Sequence, residues 1–246
     1  MKIAGLQKLT LIDYPRTLAC TVFLTGCNFR CPWCYNGELV LPERGKEIIE
    51  FSQKDFFNFL KERKNYLEGV CIGGGEPTVN KDLPEFCKKI KKLGYKVKID
   101  TNGSNPQMLE NLIKEKLVDY IAMDIKAPSE KYPQVIGLEE VSPIFLLGKI
   151  EQTINILKQS PIEYEFRTTL IPGLLEKEDI LKITHWLSPA RKYVLQNFRP
   201  EKTLDPNFQN LQPYPSEYLF RIQKAISPFF EICEVRKYSV SPLRPI

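Results

Sequence analysis

Short apolar runs alternate along the chain with segments whose apolar positions recur every three or four residues. Runs of the first kind read as buried strands of a parallel sheet, and segments of the second kind as amphipathic helices. Strands are predicted over 18–25, 69–73, 96–101, 118–125, 163–171 and 193–198, with a further strand near 230–237. Helices are predicted over 52–65, through Leu83, Phe86, Cys87, Ile90 and Leu93, and over 107–115, 149–158, 176–187 and 216–226. Ser52-Gln53-Lys54-Asp55 resembles a capping box with Asp in the usual place of Glu, and Gly94 supplies a helix stop. Residues 2–13 alternate weakly and predict a short hairpin or arm, closed by the turn Asp13-Tyr14-Pro15. Residues 127–148 predict a long loop, and the proline-rich 200–215 an irregular one.

Strand and helix thus alternate about six times, which predicts an α/β chain. Right-handed crossovers would curl it into a partial (β/α)6, TIM-like barrel. At 246 residues a single domain is expected, with an N-terminal arm or hairpin (1–16), a barrel core (17–200) and a C-terminal extension (201–246). Functional groups of such barrels sit at the C-terminal ends of the strands. The unusual polar and glycine residues fall there in turn: the cysteine stretch 27–34; Gly74, Gly75 and Glu76; Asp100, Thr101 and Asn102; Asp124 to Lys126; Arg167; Gln196 and Asn197.

Composition narrows the chemistry. With 43% hydrophobic and 26% charged residues the chain can build a sizeable core. A net charge of +5 suits an acidic protein partner without demanding nucleic acid. No apolar run is long enough for a signal peptide or a membrane span, so a cytoplasmic location is expected. Seven cysteines in a reducing compartment point to metal binding or catalysis rather than disulfides. Cys20 and Cys71 lie in apolar runs and read as small buried hydrophobes. Cys27, Cys31 and Cys34 form C-x₃-C-x₂-C. Cubane iron–sulfur clusters take four thiolates, so three would leave one iron open to a small molecule.

Plainer readings compete with this one. Structural zinc wants four Cys or His ligands, but the one histidine, His185, lies in an amphipathic helix and no second C-x₂-C follows. A lone histidine without a nucleophile elbow gives Ser-His-Asp chemistry little support. The glycine run lacks the lysine and hydroxyl of a P-loop. Asp124 with Lys126 reads equally as a strand-end ion pair, and Arg167 as a cap on a barrel layer. Lys88, Lys89, Lys91, Lys92, Lys96 and Lys98 read as a solvated helix face, or as a docking patch for an acidic electron carrier.

C-x₃-C-x₂-C followed one strand later by Gly-Gly-Glu-Pro resembles the radical S-adenosylmethionine superfamily. Within it the chain is similar to the glycyl-radical-enzyme activating proteins. Residues 5–15 and 23–34, Asp100-Thr101-Asn102-Gly103, Met123-Asp124-Ile125-Lys126-Ala127-Pro128 and 167–173 resemble those of the anaerobic ribonucleoside-triphosphate reductase activating proteins. The resemblance implies a [4Fe–4S] cluster on Cys27, Cys31 and Cys34, whose fourth iron is chelated by S-adenosylmethionine. One-electron reduction then yields methionine and a 5′-deoxyadenosyl radical, which takes hydrogen from a glycine of a partner glycyl radical enzyme. A flavodoxin- or ferredoxin-type protein would donate the electron.

Cofactor contacts are implied at Trp33, Tyr35, Gly74, Gly75, Glu76, Asn102, Asp124, Ile125, Lys126, Arg167 and Gln196. Gly74 and Gly75 would let backbone approach the ligand, and Glu76 with nearby carbonyls would accept from its ammonium. Lys126 and Arg167 would pair with its carboxylate. Asp100, Thr101 and Asp124 resemble a monovalent-cation site. The chain departs from its relatives at Tyr35, where His is usual, and at Arg16, where Gly is usual. Other readings are an activase of a different glycyl radical enzyme such as pyruvate formate-lyase, a radical enzyme acting on a small molecule, and a non-catalytic zinc-binding interaction protein.

Overall fold

A computed structural model describes residues 1–41, 51–138 and 142–236. Among these residues one eight-stranded sheet carries the fold, its strands in sequence order: β1 (Ile3–Thr10), β2 (Ala19–Leu24), β3 (Gly69–Gly74), β4 (Lys96–Thr101), β5 (Tyr120–Asp124), β6 (Glu163–Leu170), β7 (Ala190–Asn197) and β8 (Phe230–Arg236). β1 pairs antiparallel with β2, and every later neighbour pairs in parallel. Helices α1 (Gly37–Val40) and α2 (Gln53–Glu62) follow β2, α3 (Leu83–Lys92) follows β3, and α4 (Pro106–Lys114) follows β4. α5 (Tyr132–Val135) and α6 (Pro143–Gln159) follow β5, α7 (Lys177–Leu187) follows β6 and α8 (Ser216–Ile226) follows β7. This is the six-fold alternation predicted, with β8 as an added strand: an α/β partial barrel. Among the described residues no helix is long and apolar enough to cross a membrane.

The two faces of the sheet differ in chemistry. Val22, Val70, Ile72, Val97, Ile99, Ile121, Met123 and Phe166 face the helices and form one continuous core with them. α2 is started by Ser52, whose hydroxyl accepts from Asp55 N at 3.0 Å, and lays Phe56 on Phe86 of α3, ring centroids 5.3 Å apart. The alternate residues line the concave face and are mostly polar: Thr21, Cys71, Lys98, Asp100, Glu165, Arg167 and Gln196 are all buried. Successive residues of a strand point to opposite faces, so one set of strands builds both a greasy exterior and a charged interior.

Three expectations change. Residues 2–13 are no hairpin of their own, because Ile3–Thr10 is an edge strand paired to β2, with Ile3 and Leu6 in the core. Asp13 and Tyr14, expected only to turn the chain, are buried under the concave face, where Asp13 accepts from Thr21 Oγ1 at 2.6 Å. The loop predicted over 127–148 is shorter, since α5 lies within it and α6 starts at Pro143 rather than near 149. Proline in a first helical turn has its φ preset and needs no donor, so it opens α6 instead of marking loop.

Candidate active site

The cysteine loop leaves the C-terminal end of β2 and is pinned from several sides. Gly26 N donates to Leu39 O at 2.8 Å, Arg30 N to Ile136 O at 2.8 Å, and Asp205 N to Pro32 O at 2.8 Å. Trp33 Nε1 donates to Val135 O at 3.1 Å. Arg30 turns its guanidinium back on the loop, donating to Cys27 O at 2.7 Å and Phe29 O at 2.9 Å. At the far side Asn28 Nδ2 donates to Ser104 Oγ at 2.7 Å and its Oδ1 accepts from Asn102 Nδ2 at 2.9 Å. The loop's backbone is therefore fixed by α1, α5, the β4 end and the proline-rich segment.

The glycine motif is its main clamp. Gly75 N donates to Leu24 O at 2.9 Å and Glu76 N to Gly26 O at 2.8 Å. A Cβ at Gly74 would stand 2.5 Å from Leu24 backbone atoms, and one at Gly75 2.0 Å from Gly26 O. The close approach that demands glycine is thus made by this chain's own β2 end. Glu76 is equally committed within the protein. Its Oε1 accepts from Thr78 N (3.1 Å), Thr78 Oγ1 (2.6 Å) and Thr101 Oγ1 (2.7 Å), and its Oε2 from Asn102 N (2.6 Å). Burial still pushes this carboxyl up against those bonds. Glu76 thereby ties the β3 end to the β4 end.

Below lies a row of alternating charges. Lys98 Nζ contacts Asp100 Oδ1, and Asp100 Oδ2 lies 3.3 Å from Arg167 Nη1. Arg167 Nε donates to Asp124 Oδ1 at 2.7 Å, and Lys126 Nζ to Asp124 Oδ2 at 3.0 Å. Lys126 Nζ also lies 5.0 Å from the Trp33 ring centroid. Burial alone would raise the Asp124 carboxyl, but Arg167 and Lys126 outweigh it and hold it down to about 2. Burial opposes the charge on Lys126 as well, yet Asp124 carries the ammonium well above its ordinary range.

These pieces enclose one cavity, with about 1030 Å³ of empty space including its open mouth, at the C-terminal ends of the strands. Cys27, Cys31 and Cys34 all line it. Burial pushes the three thiols up, Cys27 to about 11, so they bind as thiolates only to a cation strong enough to displace their protons. Among the described residues, no three Cys, His, Asp or Glu side chains gather as a single metal ion would require. A cubane asks for a different arrangement, because each thiolate binds its own iron and the sulfurs stand apart. Three soft donors on one pinned loop, facing open space, fit such a cluster.

Of the residues singled out from the sequence, Trp33, Tyr35, Gly74, Gly75, Glu76, Asp100, Thr101, Asn102, Asp124, Lys126, Arg167 and Gln196 line the cavity with the three cysteines. Ile125 does not. It is buried in the core, and its backbone N donates to Arg167 O at 2.8 Å. The cation-site set is engaged internally: Asp100 and Asp124 by Lys98, Arg167 and Lys126, and Thr101 by Glu76. Asn197 turns to Tyr214 O at 2.7 Å. His185 is exposed on α7, its Nδ1 2.7 Å from Leu181 O, away from the cavity. Sequence reasoning missed Phe29, Asn36, Thr169, Phe198 and Arg199 in the lining, and Asn28 and Ser104 in the frame. Arg199 lies over the Tyr35 ring at 4.4 Å and was hidden in a segment that reads as loop.

The comparisons with known proteins agree with this geometry. A family model described as the radical SAM superfamily matches residues 21–187. The chain is 36% identical over 218 residues to a Methanocaldococcus jannaschii protein provisionally named a glycyl-radical enzyme activating enzyme, covering 87% of each chain. A second protein of that organism with the same provisional name is 31% identical over 184 residues, 74% of this chain and 63% of its own length. Crystal structures of Streptococcus suis SuiB bound to S-adenosylmethionine share the fold over 87% of this chain and 51% of that one, with a TM-score of 0.62 and 15% identity. SuiB bound to its precursor peptide SuiA superposes similarly, with a TM-score of 0.63, 14% identity and 47% of that chain covered.

Proposed function

The chain belongs to the radical SAM superfamily of enzymes, and from that membership we propose that it activates a glycyl radical enzyme, the anaerobic ribonucleoside-triphosphate reductase. Relatives named for activating glycyl radical enzymes support the class of target. The likeness of residues 5–15 and 23–34 to reductase activases supports the choice within it. The carrying observation is the convergence of three thiols, the glycine motif and the cations Lys126 and Arg167 on one open-mouthed cavity.

Cys27, Cys31 and Cys34 would hold a [4Fe–4S] cluster. Together with S-adenosylmethionine, such a cluster would supply a strongly reducing electron and a carbon radical able to take a hydrogen atom. The chain's own residues bind and orient. Lys126 and Arg167 give the cavity wall positive charge toward a carboxylate. The carbonyls about Gly74 and Gly75 accept from an ammonium, and Trp33 and Tyr35 offer flat faces to a purine. Asn102 and Gln196 offer polar groups to a ribose. The open mouth admits a backbone loop of a protein substrate, and a flavodoxin- or ferredoxin-type donor supplies the electron.

Electron paramagnetic resonance tests the proposal. Iron-loaded protein, S-adenosylmethionine, reductant and the reductase are mixed without oxygen. A carbon-centred radical is expected on the reductase and is lost when its radical glycine is replaced by alanine. No signal with the reductase, but one with pyruvate formate-lyase, would reassign the target.

A further inference from the structure

Lys98 is a fully buried ammonium on the concave face of β4. It contacts Asp100 Oδ1, lies 3.7 Å from Cys71 Sγ and sits 5.9 Å from the Tyr120 ring centroid. Asp100, Thr101 and Asp124 are the oxygen donors a hard monovalent cation would want. Most of their oxygens are already committed: Asp100 Oδ1 to Lys98, Asp124 to Arg167 and Lys126, and Thr101 to Glu76. Asp100 Oδ2 accepts no hydrogen bond, but Arg167 Nη1 stands 3.3 Å from it and supplies the opposing charge. The row of three cations and two carboxylates already carries an excess positive charge, which repels a further cation. Glu165, the other carboxylate that acts on Lys98, is taken by Arg236 at 2.7 and 2.6 Å and by Lys192 at 3.7 Å.

We propose that Lys98 is a tethered monovalent cation: its ammonium neutralises Asp100 at the floor of the cavity, so the site needs no alkali-metal ion. Asp100 in turn holds Arg167 in line with the cavity wall, which makes Lys98 a positioning residue. Removing a buried partner strands the other charge, and that is costly. Truncating Lys98 would leave open space beside a bare carboxylate oxygen, which potassium or ammonium ions can enter from solution.

The test uses full-length, iron-loaded wild type and Lys98→Ala in chloride salts of potassium, ammonium and tetramethylammonium at equal ionic strength. Thermal midpoints and thallium(I) binding by NMR are the readouts, and neither depends on turnover, so the outcome is independent of the proposed activity. The wild type is expected to melt at one temperature in all three salts and to bind no thallium(I). Lys98→Ala is expected to melt lower in tetramethylammonium, to regain at least half of the loss in potassium or ammonium, and to bind thallium(I). A potassium-specific rise or thallium(I) binding in the wild type would overturn the proposal, as would a variant indifferent to the cation. Should the variant not fold in any salt, the wild-type measurements decide alone, with binding overturning and no binding upholding it.

Discussion

At Gly75 the Gly26 carbonyl oxygen stands 2.0 Å from where a Cβ would be, an overlap that only movement of the cysteine loop can relieve. Gly75→Ala should therefore lose most bound iron after anaerobic reconstitution, measured per chain, although it touches no cysteine. Gly148 is the contrast: it lies exposed within α6 with nothing within 4 Å. Gly148→Ala should raise stability by about 1 kcal/mol in urea unfolding and leave iron content unchanged. At this scale the three cysteines that line the cavity were legible, because C-x₃-C-x₂-C needs only local spacing. The tasks of Glu76, Asn28 and Ser104 were not. Glu76 meets Thr101 across 25 residues and Asn28 meets Ser104 across 76, and no local pattern encodes such contacts.

Elements were legible where periodicity was strong. β4 and α8 lie where the apolar pattern put them, because alternation on a buried strand and the 3.6-residue stripe of a helix are both consequences of one-sided burial. The pattern was silent about α1, four residues long, and about the early start of α6 at Pro143. It also could not orient the basic run. Lys91 pairs with Asp119 and Lys96 with Glu68, at the end of the sheet opposite the cysteines. β8 matters for the same long-range reason, since its Arg236 closes a bidentate pair on Glu165, which also accepts from Tyr120 at 2.9 Å. Arg236→Met should cost about 3–5 kcal/mol in urea unfolding by stranding that carboxylate, and Glu165→Gln added to it should recover part of the loss.

The whole molecule is a partial barrel whose outside is packed as a core and whose inside is held by ion pairs. The consequence is a pH signature. Burial would raise Asp124 and Glu165, but their cationic partners hold both down to about 2. A depressed folded pKa contributes stability fully present above the unfolded value and lost as pH falls through the folded one. Unfolding free energy should therefore hold down to about pH 4.5 and fall steeply toward about pH 2, by on the order of 2–3 kcal/mol for each group. Above that window these two groups leave it flat.

The proposed function requires that three thiolates hold a cluster with one iron open to S-adenosylmethionine. Anaerobically reconstituted protein, reduced in the presence of S-adenosylmethionine, should form methionine and 5′-deoxyadenosine in equal amounts. Cys31→Ala, at a residue that lines the cavity, should abolish both products, while Cys87→Ala, at a residue on the buried face of α3, should retain them. Undiminished cleavage by Cys31→Ala, or protein that retains zinc and no iron and forms no 5′-deoxyadenosine, would contradict the account.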